Sequence, residues 1–409
     1  LVGQWEEDVV NWACNPIIAH SKSSDKKWDL NLVKAYKRFR NNGKPFVCIT
    51  TNDTFASEKI QNIIHRLNEE QNVLLIIDEA HNFGSVRLSN MLPENIKYRI
   101  ALSATIKRHM DKKGTQKIFD YFGDECIVYD LERAIKEGAL CKYKYYPIPV
   151  FLDEDELDKY SYLTEKIRKF VVEEEGKVKI SEEGKLLVFK RSRLLAGARN
   201  KPKKLMELME KYKNEDSILV YCGATSMENE DEDKETVDLV RQIDGVTEMI
   251  NKSLGMRAHR FTAEEDLYER QEIKKYFQNG LYQVITAIKC LDEGVNIPGI
   301  KTAFIMSSSR NPKEFIQRRG RLLRKSSNKE YAEIYDFVTL PRKLTDVAYD
   351  DFERDRSIII GELYRINEFA KLADNRIVGE SLMADIMNSY SVFFDIDEEI
   401  EKMEEYYDG

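Results

Sequence analysis

The sequence predicts an α/β protein: two parallel-sheet domains joined by a helical, basic connector and followed by a helical, acidic extension. Three observations carry this. Short, nearly continuous apolar runs alternate with amphipathic stretches over residues 1–145 and again over 205–345, the pattern of strands buried on both faces and joined by helices. Polar clusters follow the ends of these runs, where ligands collect in parallel sheets. The 409 residues suffice for two cores plus additions.

In the first domain (1–145) strands are expected at 46–50, 73–77 and 98–102, with a helix over 57–68 placing Ile60, Ile63, Ile64 and Leu67 at helical spacing. Thr50-Thr51, Asp78-Glu79 and Ser103-Ala104-Thr105 end these strands, so three polar clusters should converge on one sheet edge. The connector (146–204) carries a stripe of Leu157, Tyr160, Leu163, Ile167, Phe170 and Val171 within a highly charged segment. The second domain (205–345) shows strand-like runs at 218–222, 257–261, 283–287, 302–306 and 332–338. Its helices are expected at 203–212, 264–278 and 312–323, the last entered through Pro312, which suits a first helical turn. The extension (346–409) is amphipathic and finally acidic, suited to capping a domain or meeting a protein partner.

Hydrophobic residues make up 42% and charged residues 33%, an ordinary globular composition. No apolar run approaches the ~18 residues of a membrane helix, and no signal-peptide pattern opens the chain. The six cysteines (Cys14, Cys48, Cys126, Cys141, Cys222, Cys290) are scattered without a CxxC pair. They read as reduced core thiols of an intracellular protein, not as a disulfide frame or zinc site. The net charge of −8 hides a segregated distribution, and local patches set the field in a cleft. Residues 185–204 hold eight Lys/Arg and no acid, whereas 228–235 and 395–408 are acidic. The basic stretch reads as a surface beside a nucleic-acid track or as an ordinary helix start; 228–235 reads as a solvated loop.

Asp78-Glu79-Ala80-His81 follows the run Val73-Leu74-Leu75-Ile76-Ile77. Adjacent carboxylates at a strand end suit a Mg²⁺-nucleotide hydrolase: one holds the metal and the other polarises the attacking water. Gln317-Arg318-Arg319-Gly320-Arg321-Leu322-Leu323-Arg324 lies ~240 residues downstream, the separation expected when two domains share a site. Taken singly, an Arg-rich helix is a solvated face and Asp-Glu after a strand is a helix cap. Their joint occurrence in this order reverses that weighting.

The constellation resembles the superfamily 2 helicases and translocases, motors of two RecA-like domains that hydrolyse ATP in the interdomain cleft. Leu1-Val2-Gly3-Gln4-Trp5 resembles the end of motif Ia, Cys48-Ile49-Thr50-Thr51-Asn52 motif Ib, and Asp78–His81 motif II. Ser103-Ala104-Thr105 resembles motif III, Leu291-Asp292-Glu293-Gly294-Val295-Asn296-Ile297-Pro298 motif V, and 317–324 motif VI. The resemblance implies ATP and Mg²⁺ as cofactors, with Asp78 holding the metal and Glu79 as general base. It gives Gln317 a contact to the γ-phosphate or the lytic water and makes Arg321 and Arg324 arginine fingers. His81 with Ser103, Ala104 and Thr105 would couple hydrolysis to closure; Asp292 and Gly294 would approach the nucleotide. Thr50, Thr51, Asn52, Thr262 and Lys289 would touch the nucleic-acid backbone without reading sequence, although strand-end capping explains the hydroxyl and amide positions equally well.

The departure from the family is the absence of a GxxxxGK[ST] phosphate loop. Gly43-Lys44-Pro45 does not supply one. The loop is expected upstream of Leu1, and this polypeptide alone is expected to be a poor ATPase. The forms of motifs V and VI favour an XPB-like or restriction-subunit-like, DNA-directed branch, located in the cytoplasm, nucleoid or nucleus. An RNA helicase and an ATP-inert scaffold that binds DNA or recruits partners are the alternatives.

Overall fold

A computed structural model describes residues 1–68, 71–108, 111–174, 177–222, 232–262, 264–288, 297, 299–307, 312–326 and 329–399. The chain divides into two compact units, Leu1–Ile127 and Val128–Gly409.

In the first unit β1 (Ile17–Ala19) pairs in parallel with β2 (Cys48–Thr50), and β3 (Leu74–Ile77) pairs in parallel with β4 (Tyr98–Ala101). The strands expected from sequence are present and parallel, but they form two two-stranded sheets rather than one. Ile77, Ala80, Phe83, Phe55 and Ile60 build the core. The expectation of strands buried on both faces fails for β3 and β4. Leu74, Ile76, Tyr98, Ile100 and Leu102 are exposed, because alternate residues point away from this core and among the described residues nothing covers that face.

The second unit holds a six-stranded, all-parallel sheet. Its strands are β5 (Lys142–Phe151), β8 (Ile218–Tyr221), β9 (Ala258–Phe261), β10 (Val284–Ala287), β11 (Thr302–Ile305) and β12 (Tyr331–Leu340), in the order β5-β12-β11-β8-β10-β9. Between β5 and β8 lies an antiparallel pair, β6 (Val171–Glu174) with β7 (Lys177–Ile180). All four residues of β8 are wholly buried: Leu219 and Tyr221 face one core, Ile218 and Val220 the other. That accounts for its uninterrupted apolar sequence.

Strand β5 crosses the boundary expected at 145 and runs along β12 for ten residues. Its alternation, with Tyr143 and Tyr145 buried and Lys142 and Lys144 exposed, is that of an edge strand and does not resemble the apolar runs of the inner strands. The helices Glu154–Arg168 and Glu182–Ala196 follow, each started by a side-chain cap, from Asp153 and Ser181. In the basic stretch 185–204 some cations are turned inward or paired, while Lys190 and Lys203 are exposed. Arg191 and Lys201 are buried, Arg199 pairs with Asp153, and Lys185 and Lys204 pair with Glu182 and Glu207. Of the acidic run, 228–231 lies outside the described residues, and Glu232 opens a helix to Leu254 where a loop was expected.

The helix Asp351–Ala370 packs Ile359, Leu363, Ile366 and Phe369 into the sheet core. Arg365, fully buried, donates from Nε to Asp336 at 2.9 Å, and the same carboxylate oxygen accepts from the Tyr145 hydroxyl at 2.9 Å. Removing one partner of such a pair strands a buried charge. Cys141 and Cys222 are buried thiols, as expected, but Cys14 and Cys126 are exposed and so are not core residues. Burial pushes the Cys48 thiol up to about 12, and Cys290 lies outside the described residues. Among the described residues no helix is long and apolar enough to cross a membrane.

Candidate active site

Strand β3 delivers Asp78 and Glu79 at its carboxyl end. Both Asp78 oxygens are engaged: Oδ1 accepts from the Glu79 amide at 2.9 Å, and Oδ2 accepts from the indole Nε1 of Trp5 at 3.0 Å. Glu79 adopts a left-handed backbone, φ 50° and ψ 45°, which costs a non-glycine residue roughly 1–2 kcal/mol. The turn brings its side chain back toward His81, whose Nδ1 lies 3.4 Å from Glu79 Oε2.

His81 is buried, and its Nδ1 lies 3.1 Å from Ser103 Oγ. The Ser103 hydroxyl spends its proton on the Thr105 carbonyl at 2.7 Å. The Glu79 carboxylate only accepts, so both neighbours of Nδ1 are satisfied when the imidazole carries its proton there. The main chain ties the same elements together: the Ala80 amide donates to Leu102 and the Leu102 amide to Ile77. Of the three clusters expected on one sheet edge, 78–81 and 103–105 meet, whereas Thr50-Thr51 ends a strand of a separate sheet. Ala104 sits between the two polar groups, and Thr105 Oγ1 is buried without a hydrogen-bond partner among the described residues.

Arg108 completes the turn. Its guanidinium donates to the His81 carbonyl and, through Nε, to Asp111 at 2.6 Å. This close approach needs Gly84, where a Cβ would collide with the Arg108 side chain and sit 2.6 Å from the Gly114 carbonyl oxygen. The sequence placed Trp5 only within the motif Ia resemblance, without a partner, and did not single out Arg108. Trp5 reaches Asp78 across 73 residues, a pairing no local period encodes.

Thr50 ends β2 on the other two-stranded sheet, and Thr51 and Asn52 follow it. The Thr50 hydroxyl donates to the Ala19 carbonyl at 2.9 Å, and Thr51 caps the short helix Asn52–Phe55. Thr262 is buried after β9. Its amide and hydroxyl both donate to Glu265 Oε2, at 2.6 and 3.0 Å, so a carboxylate occupies the donors expected to meet a phosphate.

In the second unit Gln317 and Arg321 lie four residues apart on the helix Pro312–Leu322, hence on one face. Arg324 follows the helix, is exposed, and bridges Leu140 in antiparallel fashion. Lys289, Asp292 and Gly294 lie outside the described residues. Among the described residues no group of three or more His, Cys, Asp or Glu is arranged to hold a metal. The donors present, Asp78 with Glu79 beside it, fit Mg²⁺, which takes one or two carboxylates and fills its remaining positions with water and phosphate oxygens.

Residues 1–108 match the type III restriction enzyme res subunit family, and residues 200–326 the helicase conserved C-terminal domain family. The DNA 3'-5' translocase XPB2 of Sulfurisphaera tokodaii is 28% identical over 286 residues, 65% of this chain; the match spans 58% of that relative's length. The Hef helicase domain of Pyrococcus furiosus is similar at 15% identity and TM-score 0.47, covering 83% of this chain and 84% of that one. A putative type I restriction HsdR fragment from Vibrio vulnificus is similar at 16% identity and TM-score 0.44, covering 72% of this chain and 48% of that one. With a restriction-subunit domain followed by a helicase C-terminal domain, and an XPB translocase as relative, the chain belongs to the superfamily 2 helicases and translocases of the XPB or restriction-subunit type.

Proposed function

We propose that this chain is the motor portion of a DNA-directed ATPase, a helicase or double-strand translocase, with the carboxylates supplied by the first unit and the guanidinium groups by the second. The observation that carries the reading is the linked set Asp78, Glu79, His81 and Ser103. A base, a metal-holding carboxylate and a relay to the next strand end stand in hydrogen-bond or ion-pair contact. Asp78 would hold Mg²⁺, which when bound neutralises charge on the phosphate oxygens. Glu79 takes the proton of the lytic water as that water attacks the γ-phosphorus and the bond to the leaving ADP oxygen breaks. Gln317 positions the γ-phosphate or that water, and Arg321 and Arg324 stabilise the charge that develops on the equatorial oxygens. His81 passes the change at Glu79 to Ser103 and Thr105. Asp292 and Gly294 complete the nucleotide contacts in this reading.

Thr50, Thr51, Asn52, Thr262 and Lys289 would track the backbone of the nucleic acid. A phosphate at Thr262 requires the Glu265 carboxylate to withdraw, since two anions do not share one pair of donors. ATP hydrolysis by the full-length protein, compared in duplex DNA, single-stranded DNA and RNA, tests the reading. Duplex DNA should stimulate most; strongest stimulation by RNA would make it an RNA helicase, and no stimulation by any of the three would end the proposal.

A further inference from the structure

The helix Pro312–Leu322 carries two different faces. Gln317 and Arg321 share one. Phe315, Arg318, Arg319 and Leu322 share the other and are buried. On that buried face Phe315 packs against Tyr364 and Phe369, with ring centroids 6.1 and 6.0 Å apart. Arg319, 4% exposed, lies over the Phe369 ring at 5.2 Å. Its Nη1 donates to the Glu368 main-chain carbonyl, and its Nη2 lies 3.8 Å from Glu368 Oε2. Phe369 is itself fixed, because its carbonyl accepts from the Tyr143 hydroxyl of β5 at 2.6 Å. At the far end of the helix the buried Lys329 donates to the Leu322 carbonyl. Arg319 stands inside the arginine-rich run yet is turned away from solvent, toward the helix Asp351–Ala370.

We infer that the C-terminal helix Asp351–Ala370 sets the position of Gln317, Arg321 and Arg324, with Arg319 as the positioning residue that joins the two helices. The inference rests on the proposed roles of Gln317, Arg321 and Arg324 at the γ-phosphate. A guanidinium can join the helices in this way because its fork reaches a carbonyl and a carboxylate while its plane lies on an aromatic ring. The C-terminal extension is then a built-in part of the hydrolytic machinery. A partner that displaced it would slow turnover without touching nucleotide.

The test uses the full-length protein with Arg319→Met, Arg319→Lys and Glu368→Gln, and with Arg376→Ala, which breaks an exposed ion pair to Glu380, as control. In Arg319→Met, amide exchange over 312–322 should accelerate about tenfold while β8 and β10 keep their protection. In the same variant, kcat for ATP should fall about tenfold with KM within about twofold. Arg319→Lys should recover part of both, and Arg376→Ala should change neither. Glu368→Gln keeps the main-chain acceptor; it should move both quantities in the same direction by about threefold and reads them if Arg319→Met does not fold. Unchanged exchange over 312–322, or faster exchange with wild-type kcat, overturns the inference. Absence of hydrolysis by the wild-type protein would instead sink the proposed function, and the exchange measurement would still decide the positioning.

Discussion

Asp78 is held from two sides, by its neighbour's amide and by the Trp5 indole, so its carboxylate has one orientation before any metal arrives. Groups that orient a metal ligand matter nearly as much as the ligand itself. Trp5→Phe removes the indole donor while keeping most of the ring's bulk. In the full-length protein it should raise the Mg²⁺ concentration for half-maximal ATP hydrolysis by about tenfold. An unchanged Mg²⁺ titration would show that Trp5 only packs. The sequence displayed Asp78, Glu79, His81 and Ser103 clearly, because each sits at the end of an apolar run whose period marks a strand. The left-handed turn at Glu79 was not legible: glycine or asparagine would signal such a backbone, and a glutamate conceals it.

At the level of elements, apolar periodicity revealed the inner strands and the edge strand β9 but failed at the opposite edge. Strand β5 alternates charged and aromatic residues and reads as the end of the first domain and the start of the connector, yet it pairs along its whole length with β12. In the basic stretch, likewise, charge in sequence does not show which side chains are turned inward. Lys201 illustrates this. Its Nζ donates to the Leu195 and Ala196 carbonyls, at 2.8 and 3.0 Å, at the end of the helix Glu182–Ala196. Burial pushes its pKa down to about 7, against an upward pull from Glu362. A neutral amine still has two N–H donors, enough for both carbonyls. Because the folded pKa lies below the unfolded one, the unfolded chain binds the extra proton between the two values, and stability rises with pH across that window. From pH 7 to pH 9 the wild-type protein should gain about 2 kcal/mol relative to Lys201→Met, as read from urea denaturation. A difference that stays constant between those pH values would contradict a depressed Lys201.

At the scale of the whole molecule, the chain forms two compact units, Leu1–Ile127 and Val128–Gly409, each with its own core. Family matches fall on both, in the order of a superfamily 2 motor. What sequence could not convey is how the C-terminal extension is used. An amphipathic helix suits a partner or a neighbour equally well, and only the buried contacts of Arg319, Phe369 and Arg365 commit Asp351–Ala370 to its own sheet. In the proposed mechanism Glu79 activates water for ATP hydrolysis that nucleic acid stimulates. The most direct test is DNA-stimulated ATP turnover by the full-length protein and its Glu79→Gln variant, with nucleotide binding measured in parallel. We expect turnover to fall by at least ~100-fold with nucleotide binding retained; a Glu79→Gln protein that hydrolyses ATP at the wild-type rate would contradict the account.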